Sequence, residues 1–155
     1  MTDGAPARPG LSVPLAGGLI VVTCALWMTM DSIAKHLGRE MQTESAQARS
    51  LDSILRERAD RKVQLVKLDV DGFECDVLRG ATSLLRDTRP VFVMELAPYV
   101  LEERGASLDQ LLAYFIPNGY VFYDERTEKR LPSEAKELQR MLADGESMNV
   151  IARVA

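Results

Sequence analysis

The fold type is indicated most clearly by residues 63–74, which read Val63-Gln64-Leu65-Val66-Lys67-Leu68-Asp69-Val70-Asp71-Gly72-Phe73-Glu74. Apolar residues populate both faces of residues 63–70, which is typical of a strand inside a parallel sheet that helices cover. A helical pattern follows from Phe73 to Leu85, and a run of strand-forming residues at 91–96 comes after it. The centre of the chain is therefore a strand-helix-strand unit, and we predict an α/β fold with a mostly parallel sheet and flanking helices.

In the C-terminal half, predicted helices and strands also alternate, but less regularly. Ser107 and Gln110 form a capping box at the start of a predicted helix. The buried stripe of that helix comprises Leu108, Leu111, Leu112, Phe115 and Ile116. The turn at residues 117–119 leads into a strand at residues 120–124, and the chain ends on another strand. Between these two strands we expect a helix from near Ser133, with inward-facing side chains at Leu138, Met141 and Leu142.

The composition is that of an ordinary globular protein, with 155 residues of which 46% are hydrophobic and 27% charged. This length corresponds to one domain at most. Because 19 basic and 23 acidic residues leave a net charge of -4, we expect no nucleic-acid partner. Cys24 and Cys75 lie far apart in dissimilar surroundings, a pattern of neither a disulfide framework nor a zinc site, and we predict no metal site.

Residues 1–31 differ from the rest of the chain, since a leader rich in Gly, Pro and Ala precedes an apolar segment. Residues 11–30 contain no charged side chain over a length that can cross a bilayer as a helix. Pro14 and the pair Gly17-Gly18 weaken such a helix, so a core strand or helix of a soluble domain is an equal alternative. We expect residues 32–155 to form the folded domain, either free in the cytoplasm or anchored at a membrane on its cytoplasmic side.

Charged side chains gather where the two central strands end. Lys67 and Asp69 share one face of the first strand, because residues two apart point the same way. Unpaired buried charges are costly, so this pair either neutralises itself or faces an open crevice. Asp71 follows in the turn, Glu74 lies in the first helical turn, and Glu95 closes the next strand. Because ligands of open α/β sheets bind beyond the carboxyl ends of the strands, we predict that these five residues form the catalytic site.

Some of these residues have a simpler structural explanation. Glu74 and Asp76 favour the positive end of a helix dipole, and for Asp76 we prefer this explanation. Lys67 and Asp69 can form a plain ion pair. Cys75 is more simply a small core residue than a nucleophile. For the three acids at the strand ends a functional role is favoured, because carboxylates in that position seldom help folding.

Four segments together resemble the FkbM-type methyltransferases. These segments are SLDSIL at residues 50–55, VKLDVDGFE at residues 66–74, VLRGA at residues 77–81 and PVFVME at residues 90–95. The resemblance extends over roughly residues 32–124. The sequence departs from the family pattern at Asp71, where Glu is usual, and at Ser50, where Thr is usual.

The resemblance implies the C-terminal part of a Rossmann-like class I methyltransferase fold. It further implies that S-adenosylmethionine is the methyl donor and that the acceptor is an oxygen of a sugar or another small hydroxyl-bearing molecule. Asp69, Asp71 and Glu95 are then expected to orient the acceptor hydroxyl or to act as its base. The residues that bind the donor stay unidentified, because Gly17-Gly18 precede an apolar run whereas a binding turn follows a strand.

The apparent lack of the family's cofactor-binding half leads to two expectations. The chain is either a truncated methyltransferase or a catalytically inactive remnant that acts as a membrane-tethered or interaction module. In both cases the strand at residues 63–70 has no neighbouring first strand, so we expect its apolar edge to be exposed and to promote self-association.

Overall fold

The structure, a computed structural model, describes residues 19–22, 49–57 and 62–155. Its strands are β1 (Leu19–Val22), β2 (Leu65–Leu68), β3 (Val91–Leu96), β4 (Tyr120–Asp124) and β5 (Met148–Val154). They form one sheet in the order β1-β2-β3-β5-β4. The neighbours β1, β2 and β3 are parallel, and β5 is inserted antiparallel between β3 and β4. The α/β class is confirmed, but the sheet is mixed instead of mostly parallel because β5 makes both of its pairings antiparallel.

Short helices connect these strands. They are α1 (Leu51–Arg56), α2 (Glu74–Arg79), α3 (Pro98–Glu103), α4 (Leu108–Phe115) and α5 (Ala135–Arg140). A π-helical turn covers Leu84–Thr88, and a 3-10 turn covers Ile116–Asn118. Because α2 lies between β2 and β3, and α4 lies between β3 and β4, these strands are joined by helical connections that the sequence pattern predicts. The helix α3 was not predicted from the sequence.

The centre of the apolar run at residues 11–30 is strand β1, which pairs Leu19 with Leu65 and Val22 with Leu68. These four residues are therefore a strand of the sheet; the remainder of the run lies outside the described residues. Within the ranges that the structure describes, no helix has the length and apolar character needed to cross a membrane. The prediction of an exposed edge at β2 is wrong, because the backbone of β1 occupies that edge.

Aromatic side chains fix α4 onto the sheet. Phe115 of α4 meets Phe92 of β3 and Phe122 of β4 edge to face, with ring centroids 5.1 and 5.3 Å apart. Tyr120 completes the cluster and donates a hydrogen bond from its hydroxyl to the Pro90 carbonyl at 3.0 Å. Edge-to-face contacts are favourable between aromatic rings, and buried tyrosines need such a hydrogen-bond acceptor. The helix is therefore held at a defined position on one face of β3 and β4.

The boundaries of two predicted helices differ from the structure. The helix expected from Phe73 to Leu85 is interrupted, because α2 ends at Arg79 and the chain resumes helical geometry only before the π-helical turn. On α5 the inward position of Leu138 is confirmed, whereas Met141 is 53% exposed. The helix ends one residue before Met141, so that side chain no longer follows the buried stripe. The capping box at the start of α4 is confirmed by both of its hydrogen bonds.

Asp52 of α1 ties this helix to the chain beyond Gly80. Its backbone N–H donates to the Gly80 carbonyl at 2.8 Å. Its carboxylate accepts hydrogen bonds from Ser83 N at 2.8 Å, Leu84 N at 3.0 Å and Thr82 Oγ1 at 3.2 Å. The side chain therefore caps a helical turn that lies some thirty positions away in the sequence.

Replacing Asp52 by alanine is expected to lower the free energy of unfolding by about 1–2 kcal/mol, because two backbone N–H groups lose their acceptor. Urea denaturation at an unchanged m value measures the loss. The matched control is Asp52→Asn, which keeps one acceptor oxygen and is expected to lose less. Equal losses in both variants would contradict the capping role.

Candidate functional site

Two acidic residues occupy neighbouring positions at the carboxyl ends of β2 and β3. The parallel register pairs Leu68 with Met94, and Asp69 and Glu95 are the next residues along each strand. Both are exposed, as is Asp71 in the turn that follows β2. The structure thus brings the three predicted acids to one end of the sheet, and we call Asp69, Asp71 and Glu95 the acidic rim.

Lys67 and Asp69 form an ion pair, with 2.8 Å between Nζ and Oδ2. Both side chains are about half exposed. The hydrogen bond to Asp69, together with its negative charge, raises the pKa of Lys67 above the ordinary value. Lys67 and Asp69 were expected either to neutralise each other or to face an open crevice. In the structure the two charges neutralise each other, and the pair lies at an open surface. A pair this exposed contributes little to stability.

Glu95 has a partner that the sequence pattern does not indicate. Ser147, in the loop before β5, donates a hydrogen bond from its hydroxyl to the Glu95 carboxylate. The two residues are 52 positions apart, so no local spacing links them. Because β5 pairs antiparallel with β3, it places Ser147 next to the end of β3. The last strand thereby holds one of the rim carboxylates in place.

The turn between β2 and α2 has an unusual backbone. Asp71 has φ of +49° and Gly72 has φ of +92°, both in the left-handed region. Glu74 lies beneath this turn, 7% exposed, and is the one buried polar or charged residue among those described. Its Oε1 accepts a hydrogen bond from Gly72 N at 3.4 Å. Glu74 therefore contacts the turn backbone from inside, whereas the rim acids face solvent.

Burial raises the pKa of Glu74 above its ordinary value of 4.5, although backbone N–H donors act in the opposite direction. Because the folded-state pKa is the higher one, this group stabilises the fold below pH 4.5, and the contribution is lost as the pH rises through the folded-state pKa. We expect the wild type to lose stability relative to Glu74→Gln as the pH rises above 4.5 and through the raised pKa of Glu74. Urea denaturation of both proteins across this range measures the difference; a pH-independent difference would contradict the burial effect.

Two neighbours on α2 have structural roles. Burial raises the pKa of the Cys75 thiol to about 11, and the charges of Glu74 and Asp76 add to this effect. The thiol is therefore protonated at neutral pH, which agrees with the prediction of a core residue. Asp76 forms an ion pair with Arg79 at 2.7 Å, one helical turn away.

The comparison with protein families gives a match over residues 24–122, to the methyltransferase FkbM domain. This match covers well over half of the chain and contains β2, β3 and the whole acidic rim. No curated protein and no solved structure matches the chain. The resemblance seen in residues 50–95 is therefore confirmed, and the chain belongs to the FkbM methyltransferase domain family.

Proposed function

We propose that the protein methylates a hydroxyl group of a small acceptor, such as a sugar, with S-adenosylmethionine as the donor. Membership of the family supports methyl transfer in general. The observation that carries the finer proposal is the placement of Asp69, Asp71 and Glu95 at the carboxyl ends of neighbouring parallel strands. Open α/β sheets bind their ligands in this position, and carboxylates there are suited to receive hydroxyl groups.

The fold proposed for this activity is the part of a Rossmann-like methyltransferase sheet that carries the acceptor site. The parallel order β1-β2-β3 and the helical connection after β2 support this proposal. The antiparallel strand β5, between β3 and β4, brings Ser147 to the rim.

The described residues suit the acceptor and do not by themselves fit the methyl donor. A Rossmann-type cofactor site needs glycines between its first strand and the following helix. Here Gly17-Gly18 come immediately before β1, and Thr23-Cys24-Ala25 come after it. When bound, the donor supplies an electrophilic methyl group, and the acidic rim acts on the acceptor.

We propose Asp71 as the general base. Among the described residues it has no hydrogen-bond or ion-pair partner, whereas Lys67 neutralises Asp69 and Ser147 binds Glu95. An exposed carboxylate without a partner is ready to accept the proton of an attacking hydroxyl. Asp69 and Glu95, each held by a neighbour, are suited to accept hydrogen bonds that orient the acceptor.

Glu74 is proposed to be a positioning residue. Its carboxylate accepts the Gly72 N–H, so it fixes the turn in which Asp71 adopts a left-handed backbone. Buried below the turn, it does not reach the solvent-facing side where an acceptor hydroxyl would lie. The effect of Glu74 on the reaction therefore passes through the placement of Asp71.

The test incubates the full chain with S-adenosylmethionine that carries a trideuteromethyl group and with a panel of monosaccharides, amines and thiols. Mass spectrometry is expected to find one labelled methyl group on a sugar oxygen. Labelling of an amine or a thiol in preference to every sugar would contradict the proposed acceptor class. Absence of any labelled product from a folded, donor-binding sample would contradict the activity.

A further inference from the structure

The residue directly opposite Glu95 on the neighbouring strand is an asparagine. The antiparallel register of β3 and β5 pairs Glu95 with Asn149. Side chains of directly opposed residues lie on the same face of a sheet, with Cβ atoms about 4.5–5.5 Å apart. Both side chains are exposed. Asn149 therefore stands beside a carboxylate of the acidic rim, although it belongs to the last strand of the chain.

Asn149 lies on the solvent-exposed face of the sheet, together with the rim residues Asp69 and Glu95. Side chains alternate between the two faces of a strand, so the buried neighbours of these three residues point the other way. These neighbours are Leu68, Met94 and Val150. The hydrogen bond from Ser147 to Glu95 agrees with this placement, because Ser147 is two positions from Asn149 and shares its face. Two carboxylates and one carboxamide therefore form a row across β2, β3 and β5.

The carboxamide of Asn149 is available to a ligand. Its backbone carbonyl accepts the Glu125 N–H at 3.1 Å, whereas its side chain has no hydrogen-bond partner among the described residues. Asparagine is depleted in strands, so formation of the sheet does not explain its presence in β5. A carboxamide offers two N–H donors, which carboxylates lack. Asn149 and Glu95 therefore place hydrogen-bond donors next to acceptors at the open surface.

A small apolar surface lies behind this pair on the same face. Val93 and Ile151 are two positions from Glu95 and Asn149 along their strands, and the register pairs them with each other. Both are partly buried, so part of each side chain is accessible. A sugar ring carries C–H groups on its faces and hydroxyl groups around its edge. The apolar pair therefore suits the face of such a ring, and the polar pair suits its edge.

We propose that Asn149 and Glu95 together bind two hydroxyl groups on adjacent carbons of the acceptor, which is therefore a vicinal diol of a sugar ring. One hydroxyl donates its hydrogen bond to the Glu95 carboxylate. The oxygen of the adjacent hydroxyl accepts an N–H of the Asn149 carboxamide. This inference rests on the proposed function for the hydroxyl nature of the acceptor. It adds the spacing of the hydroxyl groups and an acceptor-binding residue outside the acidic rim.

The test is a ligand-observed NMR titration of the full chain, without S-adenosylmethionine, with methyl glucopyranoside and two of its deoxy analogues. The 2-deoxy analogue keeps one pair of adjacent hydroxyl groups. The 3-deoxy analogue has the same number of hydroxyl groups but no adjacent pair. We expect the wild type to bind the 2-deoxy analogue about five to ten times more tightly than the 3-deoxy analogue, because one hydrogen bond is lost.

Asn149→Ala is expected to bind the two analogues equally and to bind methyl glucopyranoside about five to ten times more weakly than the wild type does. Asn149→Asp is expected to show the same loss, because aspartate is nearly the same size but has no N–H donor. The matched control is Gln139→Ala, which removes an exposed carboxamide from α5 and is expected to keep the preference of the wild type.

Circular dichroism melting curves establish that each variant is folded. If Asn149→Ala does not fold, Asn149→Val replaces it, because valine favours strands and has no donor. Four results would overturn the inference: no binding of methyl glucopyranoside well above the millimolar range, equal binding of both analogues by the wild type, a preference retained by Asn149→Ala, or a preference lost in Gln139→Ala.

Labelled methyl transfer by the wild type is measured separately, so the two proposals can fail independently. Methyl transfer without a preference for adjacent hydroxyl groups would overturn only the role of Asn149. The preference in binding without any methyl transfer would contradict only the proposed activity.

Discussion

Gly72→Ala is expected to lower the free energy of unfolding by about 3 kcal/mol or more. Gly72 has φ of +92°, where a residue with a Cβ is strained. The added Cβ would also lie 2.7 Å from Arg104 Cγ and 2.7 Å from the Val100 carbonyl oxygen. A side chain can move aside, but the backbone oxygen moves only with α3. Urea denaturation measures the loss.

Gly105 provides the matched control for this substitution. It also has a positive φ, +75°, but nothing lies within 4 Å of the position of its Cβ. Gly105→Ala is therefore expected to cost only the backbone strain, about 1–2 kcal/mol. A loss in Gly72→Ala no larger than this would show that crowding against α3 is unimportant. Backbone strain at φ +92° would then be the remaining reason for a glycine in the turn that positions Asp71.

Asp71→Asn is expected to lower kcat/KM for the methyl acceptor at least about 100-fold, because the substitution removes a general base. The fold should be preserved, since asparagine tolerates the left-handed φ of +49° and is nearly the same size. The rate of labelled methyl transfer measures the effect, and the free energy of unfolding measures the fold.

Two further variants define the specificity of this result. Glu137→Gln removes an exposed carboxylate from α5, outside the acidic rim, and is expected to leave the rate unchanged. Asp69→Asn breaks the ion pair with Lys67 and is expected to raise KM more than it lowers kcat. A loss of kcat at Asp69 that equals or exceeds the loss at Asp71 would move the role of base to Asp69.

Local patterns predicted much of the fold because their physical causes are local. The apolar residues on both faces of residues 63–70 identify a central strand, and the capping box at Ser107 identifies the start of α4. The position of β5 between β3 and β4 was not predictable in this way. It depends on pairings such as Phe92 with Ala152, which join distant parts of the chain and leave no short-range spacing.

In the candidate site, too, the features with local causes were predictable and those that depend on distant residues were not. Strand ends and the two-residue period predict the acids at one rim, and in the structure Asp69, Asp71 and Glu95 lie at that end of the sheet. The partners that distinguish these acids come from elsewhere: Ser147 reaches Glu95 through β5, and Arg104 covers Gly72 from the end of α3. Sequence spacing therefore located the rim but not the contact with Lys67 that neutralises Asp69, whereas Asp71 has no ion-pair partner among the described residues.

The most direct test of the proposed methyl transfer is isothermal titration of the full, folded chain with S-adenosylmethionine. We predict saturable binding, with Asp71→Asn binding the donor as tightly as the wild type because Asp71 acts on the acceptor. Absence of heat at millimolar S-adenosylmethionine, from a sample shown to be folded, would contradict the proposal. That result would favour a catalytically inactive member of the family that acts through interactions.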